Sequence, residues 1–181
     1  MIPTFTLSGV LPPFIGGDPS DRAGCSPYPA EMSELASRFG TSGDRCALLG
    51  GLLDLRSALQ QLGITRGVQL IDGSFVENVE VTRSRPPADI DVVTIAARPV
   101  SDPASWRQLV TAHQDVFDPE RSKARFRCDH YFLDTLKAPG LLVADAMYFS
   151  NLFSHQRATS LWKGMIEVSL TSDDALARMS L

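Results

Sequence analysis

The run Ala88-Asp89-Ile90-Asp91-Val92-Val93 constrains this chain more than any other stretch. Acidic and apolar residues alternate there. On a strand, alternate side chains face opposite ways, so Asp89 and Asp91 share one face while Ile90 and Val92 enter a core. Two carboxylates on one face, roughly 7 Å apart by the strand rise, repel each other and require a cation between them. Hard oxygen ligands of this kind suit Mg²⁺ (or Mn²⁺), an ion that keeps waters and shares its remaining positions with phosphates. In a two-ion arrangement the cations sit about 3.5–4 Å apart and clamp the attacking and leaving oxygens of an in-line displacement.

The preceding segment, Leu70-Ile71-Asp72-Gly73-Ser74-Phe75, reads as a buried strand running into a Gly-Ser turn. Gly73 lets backbone N–H groups approach a phosphate closely, and the Ser74 hydroxyl can donate to its oxygens. A third carboxylate belongs on a neighbouring strand, and Asp129 is the best placed. In a strand read over Ala124–Leu133, Arg125, Arg127 and Asp129 share parity, so two cations accompany that carboxylate on a face suited to a triphosphate. Arg83 and Arg85 flank the loop and serve either to hold the triphosphate or as a solvated loop. Asp72 reads as a turn or salt-bridge residue, and Asp134 as the cap of the turn before Pro139. His155 and Arg157 form a polar patch in which a lone histidine is more often structural. His113 reads as a helix-surface residue. Trp106 and Trp162 read as packing residues, Trp162 with a second option as the rim of a base site beside Lys163.

Around these segments the chain alternates between strand and helix patterns. Leu48, Leu49, Leu52, Leu55, Leu59 and Leu62 recur at helical spacing, with Ser42 or Asp44 as cap and Gly63 as stop. Val68–Ile71, Ile90–Ile95 and Gly164–Leu170 read as strands, and Pro103–Phe117 and Leu141–Phe153 as helices. The stretch from Phe75 to Pro87 reads as β-like. This order predicts an α/β (α+β) domain with a mixed sheet flanked by helices. Residues 1–43 are rich in proline and glycine and cannot form long regular structure. Because they also carry Phe5, Leu7, Val10, Leu11, Phe14 and Ile15, they read as an arm packed on a single domain of residues 44–181, with a short helix near Ala30–Arg38.

The 181 residues suffice for one core. A hydrophobic share of 44% and a charged share of 21% exclude wholesale disorder. No apolar run spans a bilayer and the N-terminus lacks a signal-peptide pattern, so the expectation is a cytoplasmic protein. Cys25, Cys46 and Cys128 have no CxxC spacing and read as free thiols. The formal net charge of −4 argues against non-specific binding of long DNA, which a basic surplus drives. A mononucleotide or a short RNA end needs only local positive charge.

A strand ending in Gly73-Ser74, then Asp89-Ile90-Asp91 on the next strand, then Asp129 on a third, resembles the DNA polymerase β-like nucleotidyltransferase superfamily over roughly residues 44–134. More narrowly, the chain is similar nearly end to end to a small uncharacterised bacterial nucleotidyltransferase-like family, through the stretches at Ile71–Phe75, Pro87–Val93 and Lys163–Val168. The resemblance implies metal binding by Asp89 and Asp91, assistance to the nucleophile by Asp129, and phosphate contact at Gly73-Ser74. The superfamily has a helix of small residues after its Gly-Ser turn, and the segment from Phe75 to Pro87 departs from that pattern.

Three functions are compatible with these residues. One is transfer of a nucleoside monophosphate from an NTP to a hydroxyl of a protein, a tRNA or RNA end, or a small molecule, with either a macromolecular acceptor or a partner protein completing the site. The resemblance adds a bacterial toxin–antitoxin or phage-defence setting to that reading. The others are an inactive module that binds a nucleotide or partner, and a metal-dependent phosphodiester hydrolase.

Overall fold

The computed structural model describes residues 1–181. The elements run β1 (Tyr28–Ala30), α1 (Met32–Phe39), α2 (Gly43–Gln61), β2 (Gly67–Asp72), α3 (Val79–Arg83), β3 (Ile90–Ala96), α4 (Pro103–Ala112), α5 (Gln114–Phe117), α6 (Pro119–Phe126), β4 (Cys128–Asp134), α7 (Pro139–Phe153), β5 (Ile166–Ser169) and α8 (Asp174–Met179). The strands form one mixed sheet in the order β1-β5-β2-β3-β4. β1 runs parallel to β5 and β3 parallel to β4, while β2 is antiparallel to both β3 and β5. The expected mixed sheet flanked by helices is what the chain forms.

Strand alternation divides the sheet into two faces. Ile71, Ile90, Val92, Cys128, Ile166 and Val168 face a large core that includes Leu48, Leu49, Leu52, Leu53, Leu55 and Leu59 of α2. Leu70, Val93, Leu133 and Met165 face the other way and meet Phe153 of α7 in a smaller cluster. The Ser42 hydroxyl caps α2 by accepting from the Arg45 N–H at 3.3 Å, as the sequence predicts. The arm contributes to the large core, since Ile2 and Leu11 are buried within it.

A polar chain crosses the larger core. The Arg56 guanidinium pairs with Asp174 at 2.8 Å and donates to Gln69 Oε1 at 2.7 Å. Gln69 Nε2 donates to the Thr94 hydroxyl at 3.0 Å, and that hydroxyl lies 2.8 Å from His130 Nε2. His130 Nδ1 lies 2.7 Å from the Val116 carbonyl. A carbonyl only accepts, so the network assigns the proton to Nδ1 and leaves Nε2 to accept from Thr94. Arg56, Gln69, Thr94 and His130 are all fully buried, and every link has a donor and an acceptor.

Several local expectations are corrected. Ala124–Leu133 is not one strand: α6 continues to Phe126, Arg127 takes a left-handed turn at φ 58°, and only then does β4 begin. Asp118 caps α6 by accepting from the Arg121 N–H at 3.0 Å, with Pro119 in its first turn, and these start signals outweigh the apparent alternation. The segment after Gly73 is helical rather than β-like, with a 3₁₀ turn over Gly73–Val76 followed by α3. Arg45 of α2 holds it, donating to the carbonyls of Phe75 and Glu77, each at 2.7 Å. The expected helix at Pro103–Phe117 breaks into α4 and α5 at His113. β1 and α8 are elements that the sequence pattern did not reveal.

Candidate functional site

Register aligns the acidic residues. Asp72, the last residue of β2, pairs with Asp91 of β3, and Asp91 pairs with Asp129 of β4. Three aspartates therefore form one row across adjacent strands. Asp89 lies two residues before Asp91 and on the same face. Gly73 follows at φ +81°, and a Cβ on it would overlap Asp91 Oδ2. Only glycine allows both that backbone conformation and that carboxylate at once.

These residues open into a cleft of about 810 Å³. Only four of its twenty lining residues are hydrophobic, so a highly polar ligand suits it better than an apolar one. Gly73, Ser74, Arg83, Arg85, Asp89, Asp91 and Asp129, all singled out from sequence, line the cleft together. Arg127, expected among them, does not. The left-handed turn that ends α6 takes it off the strand parity that grouped it with Asp129. Arg125 likewise sits on α6 and pairs with Asp115.

The carboxylates influence one another. Burial, then Asp89 and Asp129, push Asp91 up to about 6. Burial raises Asp129 as well, against the pull of Lys123. Lys123 of α6 forms an ion pair with Asp89, and this contact raises the lysine. Its ammonium occupies the place of a neutralising cation. Deeper in the floor, Lys163 is 2% exposed and reaches Asp72 at 3.0 Å, Glu77 at 3.1 Å and the Gly73 carbonyl at 3.2 Å. Burial pushes Asp72 up to about 7 despite this partner. Glu77 also accepts from Gln156 at 2.8 Å and from Arg83 at 2.9 Å.

Hard carboxylates that raise one another's pKa by mutual repulsion fit a divalent cation chemically. Asp91, with Asp89 and Asp129, would hold it. No three acidic, histidine or cysteine side chains converge on a single point in the present arrangement, where Lys123 engages Asp89. Seating an ion there requires Lys123, half-exposed on a surface helix, to move off Asp89.

Sequence reasoning missed several lining residues. Lys123 belongs to α6, a helix that the sequence reading did not give. Lys163 carried one faint signal, a lone lysine directly before an apolar strand. His155 and Arg157, which read as a polar patch, line the cleft together with Gln156 and Ser160 of the same loop before β5. Arg157 lowers both Asp91 and Asp129, so its charge acts on them. Trp162, exposed at 52%, meets Phe14 in a tilted contact with 6.0 Å between ring centres and does not line the cleft. Asp134 accepts from the Leu136 N–H at 2.9 Å in the turn after β4.

Residues 3–169 match the model of a family described as "Family of unknown function (DUF6932)". No curated protein and no solved structure matches the chain.

Proposed function

For this chain, which belongs to the DUF6932 family of unknown function, we propose a metal-dependent nucleotidyltransferase that moves a nucleoside monophosphate from an NTP to an acceptor hydroxyl. The observation that carries the reading is the row Asp72, Asp91, Asp129, with Asp89 alongside and Gly73-Ser74 at its edge. A Gly-Ser turn after one strand, Asp-x-Asp opening the next and an aspartate opening the third accord with the superfamily that the sequence resembles. The cleft volume also lies within the range of small-ligand sites.

A divalent cation, when bound, supplies charge neutralisation for the phosphates and the leaving group. Asp89 and Asp91 hold the charge that attracts it. The N–H groups at Gly73-Ser74 and the Ser74 hydroxyl bind phosphate oxygens. Arg85, Arg157 and Lys123 face the remaining negative charge, with Arg83 shared between Glu77 and the ligand. Asp129 takes the proton from the acceptor hydroxyl. The acceptor oxygen bonds to the α-phosphorus, the bond from that phosphorus to its bridging oxygen breaks, and pyrophosphate leaves. Positioning and electrostatics supply nearly all of the catalysis in such transfers.

The acceptor hydroxyl belongs to a protein, an RNA end or a small molecule. A partner protein and a toxin–antitoxin or phage-defence setting remain part of the proposal. No helix is long and apolar enough to cross a membrane, and we assign the chain to the cytoplasm. One observation favours a second reading, a nucleotide-binding module without turnover: the Lys123–Asp89 ion pair fills the place of a cation.

The test is calorimetric titration of ATP, GTP, CTP and UTP into the chain with Mg²⁺, with Mn²⁺ and with EDTA, followed by transfer assays using α-labelled NTP. Metal-dependent binding that Asp91→Asn abolishes, together with label transfer, supports the enzyme. Binding without transfer supports the module. Absence of binding by all four nucleotides would overturn both, and cleavage of RNA without any NTP would point to a hydrolase.

A further inference from the structure

Helix α7 has the composition of a buried element and the surroundings of a surface one. Its sequence, Pro-Gly-Leu-Leu-Val-Ala-Asp-Ala-Met-Tyr-Phe-Ser-Asn-Leu-Phe, is apolar on nearly every side, yet Phe153 is its one buried residue. Leu142, Phe149 and Phe153 dock on the sheet through the smaller cluster. Leu141, Val143, Met147 and Tyr148 remain exposed at 62%, 60%, 67% and 61%, with Leu152 at 38% and the nearby Leu136 at 51%. A helix that is hydrophobic all round belongs inside something.

The order of residues on the free face indicates what covers it. Leu141, Ala144, Tyr148 and Leu152 follow one another at three- and four-residue spacing and share one stripe. Turned antiparallel on a copy of itself, the stripe reads Leu152, Tyr148, Ala144, Leu141. Leucine then meets leucine at both ends, and small Ala144 meets large Tyr148 twice in the middle. That self-complementarity is what a two-fold interface demands. The one charge on the helix, Asp145, is already paired with Lys137, so no unpaired charge opposes its own copy across the axis. The three large side chains of the stripe, Leu141, Tyr148 and Leu152, offer on the order of 300 Å² as the apolar centre of an interface to which each partner gives roughly 800 Å².

We propose that the chain forms a two-fold dimer through antiparallel packing of α7 on α7 of a second copy. Asn151 and Leu152 at the end of α7 also line the cleft, so the second copy borders its mouth. The inference stands independently of the chemistry in that cleft.

Sedimentation velocity of the full chain over a concentration series tests it. The expected species has twice the 19.7 kDa of one chain. Leu141→Glu and Tyr148→Lys alter side chains already in water, so each should return a monomer with an unchanged circular dichroism spectrum. Leu176→Lys, an exposed apolar site on α8, should leave the dimer intact. If either α7 variant misfolds, Ala144→Cys/Tyr148→Cys serves instead: oxidation should join two copies by a disulfide between residues 144 and 148, located by peptide mass. A wild-type chain that stays monomeric at its highest soluble concentration overturns the proposal. A dimer that survives Tyr148→Lys, or yields no 144–148 cross-link, overturns it equally.

Discussion

The Gly73 backbone and the Asp91 carboxylate pack so closely that no side chain fits between them, and the behaviour of the cleft follows from that closeness. A Cβ at residue 73 would overlap the Asp91 carboxylate and force a side chain into positive φ. Gly73→Ala is therefore expected to destabilise the chain by roughly 1–3 kcal/mol and to abolish nucleotide binding, read from urea unfolding and calorimetry. Asp91 carries a cost of its own. Its folded value of about 6 lies above the ordinary 3.8, so the folded state holds the proton more tightly than the unfolded one. Stability is present while that proton is bound and is lost as pH rises through about 6. An asparagine at this position cannot ionise. Asp91→Asn should thus gain stability over wild type as pH rises from 4 to 7, up to about 3 kcal/mol, while losing function. Thermal melts in EDTA across that window check it, and a difference independent of pH would refute the assignment. Lys163 works in the opposite sense. Lys163→Met leaves Asp72 and Glu77 buried without their shared cation, an expected loss of about 3–5 kcal/mol in denaturant unfolding.

Among the elements, β2, β3 and β4 carry both the acidic row and the polar chain beneath it. The two occupy opposite faces of the same strands: Asp91 faces the cleft and Thr94 the core, Asp129 the cleft and His130 the core. Thr94→Val removes the hydroxyl that joins Gln69 to His130 and strands two buried polar groups, for roughly 1–3 kcal/mol. Burial pushes His130 down to about 4, so the unfolded chain binds its proton first as pH falls. The contribution is whole above about 6.5 and is lost toward pH 4. Comparing wild type with His130→Asn over that range isolates it from the opposing slope of Asp91. Helix boundaries at this scale depended on contest between signals. In Ala124–Leu133 the alternation of arginines with apolar residues mimics a strand, but the Asp118 cap and Pro119 start a helix that uses up the first three residues.

Across the whole molecule, the arm is bound into the fold as firmly as the leucine helix. The Leu11 carbonyl accepts from the Gly164 N–H at 2.9 Å and the Gly9 carbonyl from Asn78 at 2.8 Å, so the arm ties the loop before β5 to the one after β2. Both loops line the cleft. Leu11→Ala should cost about 2–5 kcal/mol in urea unfolding, as for any core leucine, although it lies in a proline-rich stretch. A loss within the ordinary surface range of about ±0.5 kcal/mol would show the arm to be dispensable.

The local pattern by itself determined the acidic pair, the Gly-Ser turn, the leucine helix and the mixed class of the sheet, because each depends on spacing within a few residues. Strand alternation alone puts Asp89 beside Asp91. Tertiary structure alone decided what stands opposite them. Lys163 reaches Asp72 from far downstream in the chain, and β1 joins the sheet beside β5 from near the other end. Arg157 and Lys123 enter the cleft because a loop and a helix are folded over the strand ends, and Arg127 leaves it because one residue adopts φ 58°. Such pairings rest on register and on the packing of distant segments, and those are properties of the assembled core rather than of any window of sequence.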